Sequence, residues 1–443
     1  MKFQGANSVG QREKKSITMK LLIKNGHVVD PANKIDDILD ILIDANKISL
    51  VGKDIKASVD KTIDATKRIV MPGIIDMHVH LREPGREDKE TIASGTLAAL
   101  KGGITSVLAM PNTQIPIDCS QNLKLLKSII KKTSHANVLI AAAITKARQG
   151  KELTEISQLK KEGILAITDD GASVDDERLM SEALKQAMKH KVLVICHCED
   201  VSISKDGVIN LGFISTRLGL RGVSCESEYR RVRRDIQLAE KLGASIHIAH
   251  VSCKESVEII AKAKKKSLRL SAETAPHYFS FSEEDLLGYN TNMKVNPPLR
   301  SKEDVVEIKQ GLKSGVIDVI ASDHAPHTDN EKIIEFERAE FGAIGLETEL
   351  AASITELVDQ GILNWTQLVQ KFTVNPAKIL GIDRGTLGKG AIADIIIVDT
   401  EREWTVESKD FLSRSKNSPF IGRRLKGIVE LTILNGKIAY NRC

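Results

Sequence analysis

Short apolar runs alternate with longer stretches of helical character through the middle of the chain, from Met71 to about Gly381. Eight runs have the length and composition of buried β-strands, and each precedes a stretch that suits a helix. The runs are 73–80, 105–110, 138–144, 165–169, 192–198, 245–250, 268–273 and 316–322. Eight strand–helix units predict an α/β fold, a (β/α)8 TIM-type barrel whose functional residues lie at the carboxyl ends of the strands.

Both ends of the chain have a β pattern instead. Between residues 19 and 70, short strand-like runs are separated by the turn formers Asn25-Gly26 and Asn46, and β pattern returns at 393–398. We expect the two end segments to pair into one small β-sandwich domain. The predicted boundaries are a disordered leader at 1–18, the sandwich at 19–70 and 386–443, and the barrel at 71–385.

The composition narrows the class of protein. With 42% hydrophobic and 28% charged residues, the chain is neither disordered, collagen-like nor membrane-embedded. A net charge of +5 does not indicate a nucleic-acid surface. The apolar runs are shorter than the ~20 residues that cross a bilayer, and no export signal is recognised. We expect a cytoplasmic enzyme with a small-molecule substrate, no nucleic-acid or membrane partner, and free thiols at its six cysteines.

The most specific local signal is a pair of histidines at the end of the first barrel strand, in Asp76-Met77-His78-Val79-His80. The period of two places His78 and His80 on one face, where two imidazoles can bind one metal ion. Metal-binding residue types also follow four later strands: Asp170, His197, His250 and Asp323. Singly, each is more often a loop hydrogen bonder. Because all strand ends meet at one barrel mouth, the six together predict a metal centre.

Two nearby patterns are set aside. In Cys196-His197-Cys198, neighbouring side chains of a strand point to opposite faces, so the three cannot all bind one ion. His247 precedes His250 by three residues, so we expect it to face the opposite side of its strand and to pack against a helix.

The motifs of this chain resemble those of the amidohydrolase superfamily and, more narrowly, of the bacterial type I dihydroorotases. The resemblance covers nearly the whole chain from about Met19. It is carried by HVHLREPG (78–85), MPNT (110–113), TDDG (168–171), CHCED (196–200), PHY (276–278), VNPPLR (295–300), SDHAPH (322–327), FG (341–342) and GLET (345–348). The first motif and the one around Asp323 are diagnostic.

The resemblance implies a reaction and a set of ligands. The reaction is the reversible cyclisation of N-carbamoyl-L-aspartate to L-dihydroorotate in pyrimidine biosynthesis. Two Zn²⁺ ions per chain are implied: His78 and His80 hold one, His197 and His250 hold the other, and Asp170 bridges both. Asp323 is implied to bind the first ion and to act as general acid and base. The residues alone leave open whether Asp169 or Asp170 forms the bridge.

The implied substrate carries a carboxylate, which suits a planar, bidentate cation such as Arg82 just beyond the metal pair. By resemblance, the substrate-binding residues are His80, Arg82, Asn112, Asn296, His327, Phe341 and Gly342. Arg82, Asn112 and His327 are implied to hold the carboxylate, and Asn296 the ring edge. An ion pair with Glu83 or Glu87 is the alternative for Arg82. The charged stretch 328–340 is either a closing lid or a solvated loop.

Two other functions compete with this one. Another cyclic amidase, such as a hydantoinase, dihydropyrimidinase or allantoinase, generally bridges its metals with a carboxylated lysine, and 168–171 contains no lysine. A non-catalytic scaffold that binds aspartate transcarbamoylase typically lacks metal ligands, whereas all six candidates are present here. The sequence leaves open a homodimer and a docked aspartate transcarbamoylase partner.

Overall fold

A computed structural model describes residues 19–266 and 269–442. The predicted leader at 1–18 and the first residue of the predicted strand 268–273 lie outside these ranges. Cys119, Cys196, Cys198, Cys225 and Cys253 are free thiols, as predicted for the cysteines that the structure describes. Within the same ranges, each helix is too short or too polar to cross a bilayer.

The strands of the described chain fall into an outer sheet, a barrel and a small two-stranded pair. They are β1 (Lys20–Asp30), β2 (Ile35–Asp44), β3 (Lys47–Gly52), β4 (Lys61–Asp64), β5 (Ile69–Pro72), β6 (Ile74–Val79), β7 (Ile104–Ala109), β8 (Asn137–Ala142), β9 (Ala166–Ile167), β10 (Leu193–Cys196), β11 (Ile209–Asn210), β12 (Gly222–Val223), β13 (Ile246–Ile248), β14 (Leu270–Thr274), β15 (Val319–Ile320), β16 (Ile395–Thr405), β17 (Arg424–Leu434) and β18 (Lys437–Asn441).

Helices follow most barrel strands and cover the outside of the barrel. They are α1 (Ile92–Lys101), α2 (Ser120–Thr133), α3 (Ile156–Lys161), α4 (Glu177–His190), α5 (Val201–Ser204), α6 (Phe213–Leu218), α7 (Glu226–Leu242), α8 (Lys254–Lys264), α9 (Pro276–Ser280), α10 (Lys302–Ser314), α11 (Asp329–Lys332), α12 (Glu349–Ser353), α13 (Trp365–Phe372) and α14 (Val374–Leu380). One π-helical turn, Ile354–Val358, extends α12.

The barrel consists of eight strands in chain order, β6-β7-β8-β9-β10-β13-β14-β15, and all its strand pairs are parallel. It closes where Val79 of β6 forms a parallel bridge with His324, just beyond β15. Every residue of β6 and β7 is buried, because helices cover one face and the barrel interior the other. The predicted barrel and its eight strands are therefore confirmed, although β9 and β15 are only two residues long.

Both chain ends build the second sheet, in which β5 pairs with β16 in antiparallel register. Its order is β18-β17-β16-β5-β1-β2-β3, and β4 pairs with β1. Lys47 at the start of β3 bridges Ile392, so the sheet folds over a core that includes Ile23, Ile41 and Ile395. The predicted pairing of the ends is confirmed, in one hydrogen-bonded sheet folded on itself. The domain boundaries at 70 and 385 stay a prediction.

The turn predicted at Asn25-Gly26 is wrong. β1 continues through both residues, and its register with β2 shifts between Ile23 and Gly26. A Cβ atom at Gly26 would lie 2.4 Å from Val70 Cγ2, so glycine is needed there for the close approach of β1 to β5. The turn predicted at Asn46 is present, since Ala45 and Asn46 connect β2 to β3.

Candidate metal centre

The six predicted metal-binding side chains meet at one end of the barrel. Each lies near the carboxyl end of its strand or within three residues beyond it. All six are buried: His78, His80, Asp170, His197, His250 and Asp323. His78 and Asp323 are 245 positions apart in the sequence, yet His78 Nε2 lies 3.6 Å from Asp323 Oδ1. Folding thus brings distant groups together.

Asp170 lies at the centre of this cluster. Its Oδ1 is 3.2 Å from His78 Nε2, 3.3 Å from His197 Nδ1 and 3.6 Å from His250 Nε2. Its Oδ2 is 3.5 Å from His80 Nε2. One carboxylate therefore faces two pairs of imidazoles, and this is the arrangement that a ligand shared by two metal ions requires.

The donor set fits two metal ions. Within the described residues, His78 Nε2 and Asp170 Oδ1 are buried and have no hydrogen-bond partner. The ligand atoms of His78, His80 and Asp170 lie within 4.8 Å of one another, as do those of Asp170, His197 and His250. Buried polar atoms are rarely left unpaired, so two groups of converging lone pairs indicate places for cations. Imidazole and carboxylate ligands suit zinc and similar transition metals.

Glu273 at the end of β14 fixes the orientation of His78. The His78 Nδ1–H donates to Glu273 Oε1 at 2.6 Å, so the lone pair of Nε2 points into the cluster. Burial opposes the charge on Glu273, but His247 and His78 lower the pKa of this carboxyl group to about 2. Sequence reasoning missed Glu273, although a carboxylate behind a metal-binding histidine is common.

The prediction for His247 is wrong. Its ring is buried beside the metal cluster, with Nε2 3.0 Å from Glu273 Oε2 and Nδ1 2.8 Å from Ser271 Oγ. The alternation argument fails because β13 ends at Ile248, so His250 lies in the following loop with a φ of 33°. The period of two therefore does not relate the two histidines.

Two predicted substrate-binding residues also support ligands. Asn112 Oδ1 accepts a hydrogen bond of 2.7 Å from His80 Nδ1, which leaves His80 Nε2 for the cluster. Asn296 Nδ2 donates to Glu199 Oε2 at 2.9 Å, and the same oxygen lies 3.2 Å from His197 Nε2. His197 consequently presents Nδ1 to Asp170, whereas the other three histidines of the cluster present Nε2.

The structure distinguishes the neighbouring candidates. Asp169 accepts hydrogen bonds from the backbone N–H and the hydroxyl of Thr145, whereas Asp170 faces the histidines. Cys198 Sγ lies 3.6 Å from Asp235 Oδ2 and so points away from the cluster. Among the described residues, the groups able to hold a metal contain His197 but neither flanking cysteine.

Asp323 is held in an unusual backbone conformation and in its ionised form. It has a φ of 47°, a region that costs a non-glycine residue about 1–3 kcal/mol and often marks functional sites. Burial opposes its charge, but His78 and His80 hold the pKa of the Asp323 carboxyl well below its ordinary value. The carboxylate is therefore available as a base at neutral pH.

A cavity of about 320 Å³ opens in front of the cluster, within the size range of small-molecule sites. Every predicted substrate-binding residue lines it: His80, Arg82, Asn112, Asn296, His327, Phe341 and Gly342. Lys89, Arg148 and Glu340 also line it, and sequence reasoning missed them. A second cavity, beside Lys101 and Glu347, has a similar volume of about 340 Å³, but no histidine lines it. The lining residues, and not the volume, therefore distinguish the candidate site.

Arg82 and His327 form one wall of the cavity, and Arg82 supplies its positive charge. Arg82 Nε donates to the carbonyl oxygen of Pro326 at 3.1 Å, and Nη2 lies 3.2 Å from His327 Nε2. The predicted alternative, an ion pair of Arg82 with Glu83 or Glu87, is wrong, because Glu83 accepts from Ile92 N instead. Burial lowers the pKa of Arg82 to about 10, so its charge remains at neutral pH.

The second half of the stretch 328–340 is anchored to the protein through its backbone, while the side chains of Glu335, Glu337 and Arg338 are exposed. Buried Lys332 donates through Nζ to the carbonyl oxygens of Glu340 and Gly342, at 2.8 and 2.9 Å. Buried Lys294 donates to the carbonyl oxygens of residues 336 and 337. Gly342 has a φ of 136°, and a Cβ there would lie 2.8 Å from Ala325 Cβ. These contacts fix the wall formed by Phe341 and Gly342.

Comparison with known proteins finds matches to two family models and to several relatives. Residues 67–256 match the family described as Dihydro-orotase-like, and residues 308–440 match the Amidohydrolase family. A dihydroorotase of Elusimicrobium minutum is 51% identical over 95% of this chain and 97% of its own length. A dihydroorotase of Geobacter metallireducens is 47% identical over 96% of this chain and all of its own length.

Solved structures share the fold at lower sequence identity. The L-hydantoinase (dihydropyrimidinase) of Arthrobacter aurescens superimposes with a TM-score of 0.87, at 24% identity and over 96% of each chain. A dihydropyrimidinase of Brevibacillus agri gives a TM-score of 0.85 at the same identity. At this identity the likeness shows the barrel fold alone. The relatives at 47% and 51% identity decide the family: the chain belongs to the dihydroorotases.

Proposed function

We propose that this chain is a zinc-dependent dihydroorotase, which interconverts N-carbamoyl-L-aspartate and L-dihydroorotate in pyrimidine biosynthesis. The observation that carries the proposal is the two pairs of imidazoles that share Asp170, in front of which a cavity is walled by the half-buried Arg82. The metal cluster suits hydrolysis of an amide, and the arginine suits the carboxylate of dihydroorotate. The names of the close relatives support the same activity.

In this proposal, His78, His80 and Asp323 would hold one zinc ion, His197 and His250 would hold the other, and Asp170 would be a ligand of both. When bound, the two ions supply a water nucleophile near neutral pH and polarise the carbonyl of the ring amide. The protein fixes which nitrogen each imidazole presents, because Glu273 and Asn112 occupy Nδ1 of His78 and His80. Glu199 does the same for Nε2 of His197.

Asp323 moves the proton in both directions. Its Oδ1 lies 3.3 Å from His80 Nε2, at the edge of the cluster and facing the cavity. As an ionised carboxylate, it can accept the proton of the attacking water and donate it to the departing amide nitrogen. Ring closure reverses both transfers: Asp323 takes the proton from the carbamoyl nitrogen and returns it to the oxygen that leaves as water.

The remaining polar groups of the cavity fit the functional groups of dihydroorotate. Arg82 supplies the cation for the carboxylate, and the Asn112 amide nitrogen is free to donate because its oxygen already binds His80. Asn296 uses Nδ2 on Glu199, which leaves its oxygen to accept a ring N–H. Both backbone groups of Gly342 are paired within the protein, so the Phe341 N–H is the backbone donor left for the ring.

Rings without a carboxylate fit this cavity less well. Hydantoin or dihydrouracil would leave the half-buried guanidinium of Arg82 without an anion, so each would lack the charge-assisted hydrogen bonds, worth about 1.5–3 kcal/mol each, that a carboxylate forms with it. The test is turnover of dihydroorotate, hydantoin, dihydrouracil and allantoin by one preparation in which zinc is also quantified. We expect roughly two zinc ions per chain and turnover of dihydroorotate above the others. A metal-free chain, or faster turnover of an uncarboxylated ring, would overturn the proposal.

A further inference from the structure

Lys89 is a charged residue in the cavity to which neither the motifs nor the proposed mechanism gives a role. It lies in the loop between β6 and α1, is 6% exposed, and lines the cavity beside Arg82. Its Nζ lies 3.0 Å from His327 Nδ1 and 2.9 Å from Glu331 Oε1. Burial lowers the pKa of Lys89, while its contact with the Glu331 carboxylate favours the ammonium form.

An ammonium group can only donate hydrogen bonds, so the contact restricts the state of His327. Nδ1 must offer its lone pair to Lys89, and the single ring proton must lie on Nε2. Nε2 is 2.8 Å from the carbonyl oxygen of Phe341, which accepts that proton. A doubly protonated ring is opposed by burial and by the charges of Arg82 and Lys89, which lower the pKa of His327.

Two contacts work in the opposite direction. Arg82 Nη2, which can only donate, lies 3.2 Å from His327 Nε2, but the carbonyl oxygen of Phe341 is nearer, at 2.8 Å, and accepts the Nε2 proton. Glu331 Oε2 lies 3.7 Å from His327 Nδ1 and could accept a proton from it if Lys89 were absent. The nearer ammonium at 3.0 Å prevents this in the unaltered protein. Lys89 thus keeps the ring proton off Nδ1, where the Glu331 carboxylate could otherwise accept a hydrogen bond from it.

We propose that Lys89 is a positioning residue that fixes His327 as the neutral Nε2–H tautomer, so that Nε2 offers a ligand in the cavity a proton, shared with the carbonyl oxygen of Phe341, and no lone pair. An anionic group of the ligand accepts such a donor, whereas the other tautomer would present a lone pair to it. The inference rests on the proposed function in one respect, since it assigns the carboxylate of the substrate as the acceptor. The tautomer itself is a property of the protein without substrate.

The first test is ¹⁵N NMR of the zinc-loaded enzyme with labelled histidine, with His327 assigned by the loss of its signals in His327→Asn. We expect a pyridine-type Nδ1 and a pyrrole-type Nε2 in the unaltered enzyme and in Lys89→Arg, which keeps a donor. In Lys89→Met, Glu331 should draw the proton to Nδ1. A pyrrole-type Nδ1 in the unaltered enzyme would overturn the proposal without any assay of activity.

The second test is kinetic. Lys89→Met should raise KM for dihydroorotate about 10- to 100-fold, the loss of one hydrogen bond to a charged group, while kcat changes much less. Lys309→Met is the matched control, because Lys309 forms an equally long pair with Glu356, 2.9 Å, outside the cavity. An unchanged KM in Lys89→Met, or an equal rise in Lys309→Met, would contradict the role. If the unaltered enzyme does not turn over dihydroorotate at all, the proposed function fails, while the NMR result still decides the tautomer.

Discussion

Replacing Glu273 by glutamine tests how the protein prepares His78 for a metal ion. Glu273 is fully buried and accepts hydrogen bonds from two imidazoles, His78 Nδ1 at 2.6 Å and His247 Nε2 at 3.0 Å. Glutamine has nearly the same shape but no charge, and only one of its two terminal atoms accepts. The substitution therefore forces a choice between the two histidines.

The structure indicates how that choice is made. His247 can exchange its tautomer, because the hydroxyl of Ser271 beside its Nδ1 can either donate or accept. His78 cannot, because its Nε2 must keep a lone pair for the metal. The glutamine oxygen should therefore face His78. His78 Nδ1–H would then donate to a neutral acceptor in place of a charged one, and this weaker hydrogen bond is the expected loss. Loss of such a supporting group typically lowers metal affinity about 10- to 100-fold, or about 1.4–2.8 kcal/mol.

The assay is zinc affinity by chelator competition, with turnover of dihydroorotate measured in the same samples. Glu349→Gln is the matched control. Glu349 is equally buried, neither of its carboxyl oxygens has a hydrogen-bond partner in the described structure, and burial raises its pKa well above its ordinary value. Burial favours the uncharged form of its carboxyl group, so the neutral glutamine should change little. Unchanged zinc affinity in Glu273→Gln, or an equal loss in Glu349→Gln, would refute the reasoning.

Three further outcomes are expected. Asp323→Ala should abolish turnover while zinc analysis still finds metal bound, and an active, zinc-loaded variant would refute its role in proton transfer. Arg82→Lys should raise KM for dihydroorotate at least about tenfold, because lysine keeps the charge but not the planar pair of donors; an unchanged KM would remove Arg82 from carboxylate binding. Folded Glu349 keeps a proton that the unfolded chain releases above the ordinary glutamate pKa of 4.5. Stability relative to Glu349→Gln should therefore fall by up to about 1.4 kcal/mol per pH unit as the pH rises above 4.5 toward the raised pKa of the folded protein; urea unfolding of both proteins at a series of pH values above 4.5 measures this, and parallel stability curves would contradict it.

The barrel and the six ligand candidates could be predicted because each depends on local pattern. Apolar runs mark the eight buried strands, and a polar residue just beyond each run falls at the same mouth whatever the details of the loops. The pair His78 and His80 follows from the alternation within one strand. Strand periodicity and the geometry common to all such barrels therefore predict where the site lies, whereas the choice of Asp170 over Asp169 and the substrate-binding residues came from the resemblance.

Other features depend on where a strand ends or on contacts between distant segments. His247 was misplaced because alternation stops at Ile248, two residues before His250. Lys89 is one of many charged loop residues, and only folding brings it to His327, 238 positions away. Asn417, near the end of the chain, accepts from His327 N and donates to the carbonyl oxygen of Gly342. No local pattern connects that residue to the site.

The central claim is that two cations share Asp170 at the mouth of the barrel. Crystals of the zinc-loaded protein, with anomalous diffraction recorded on both sides of the zinc absorption edge, test it most directly. We predict two peaks per chain, one bound by His78 and His80 and the other by His197 and His250, with Asp170 contacting both. A single peak, or peaks away from these six side chains, would contradict the account.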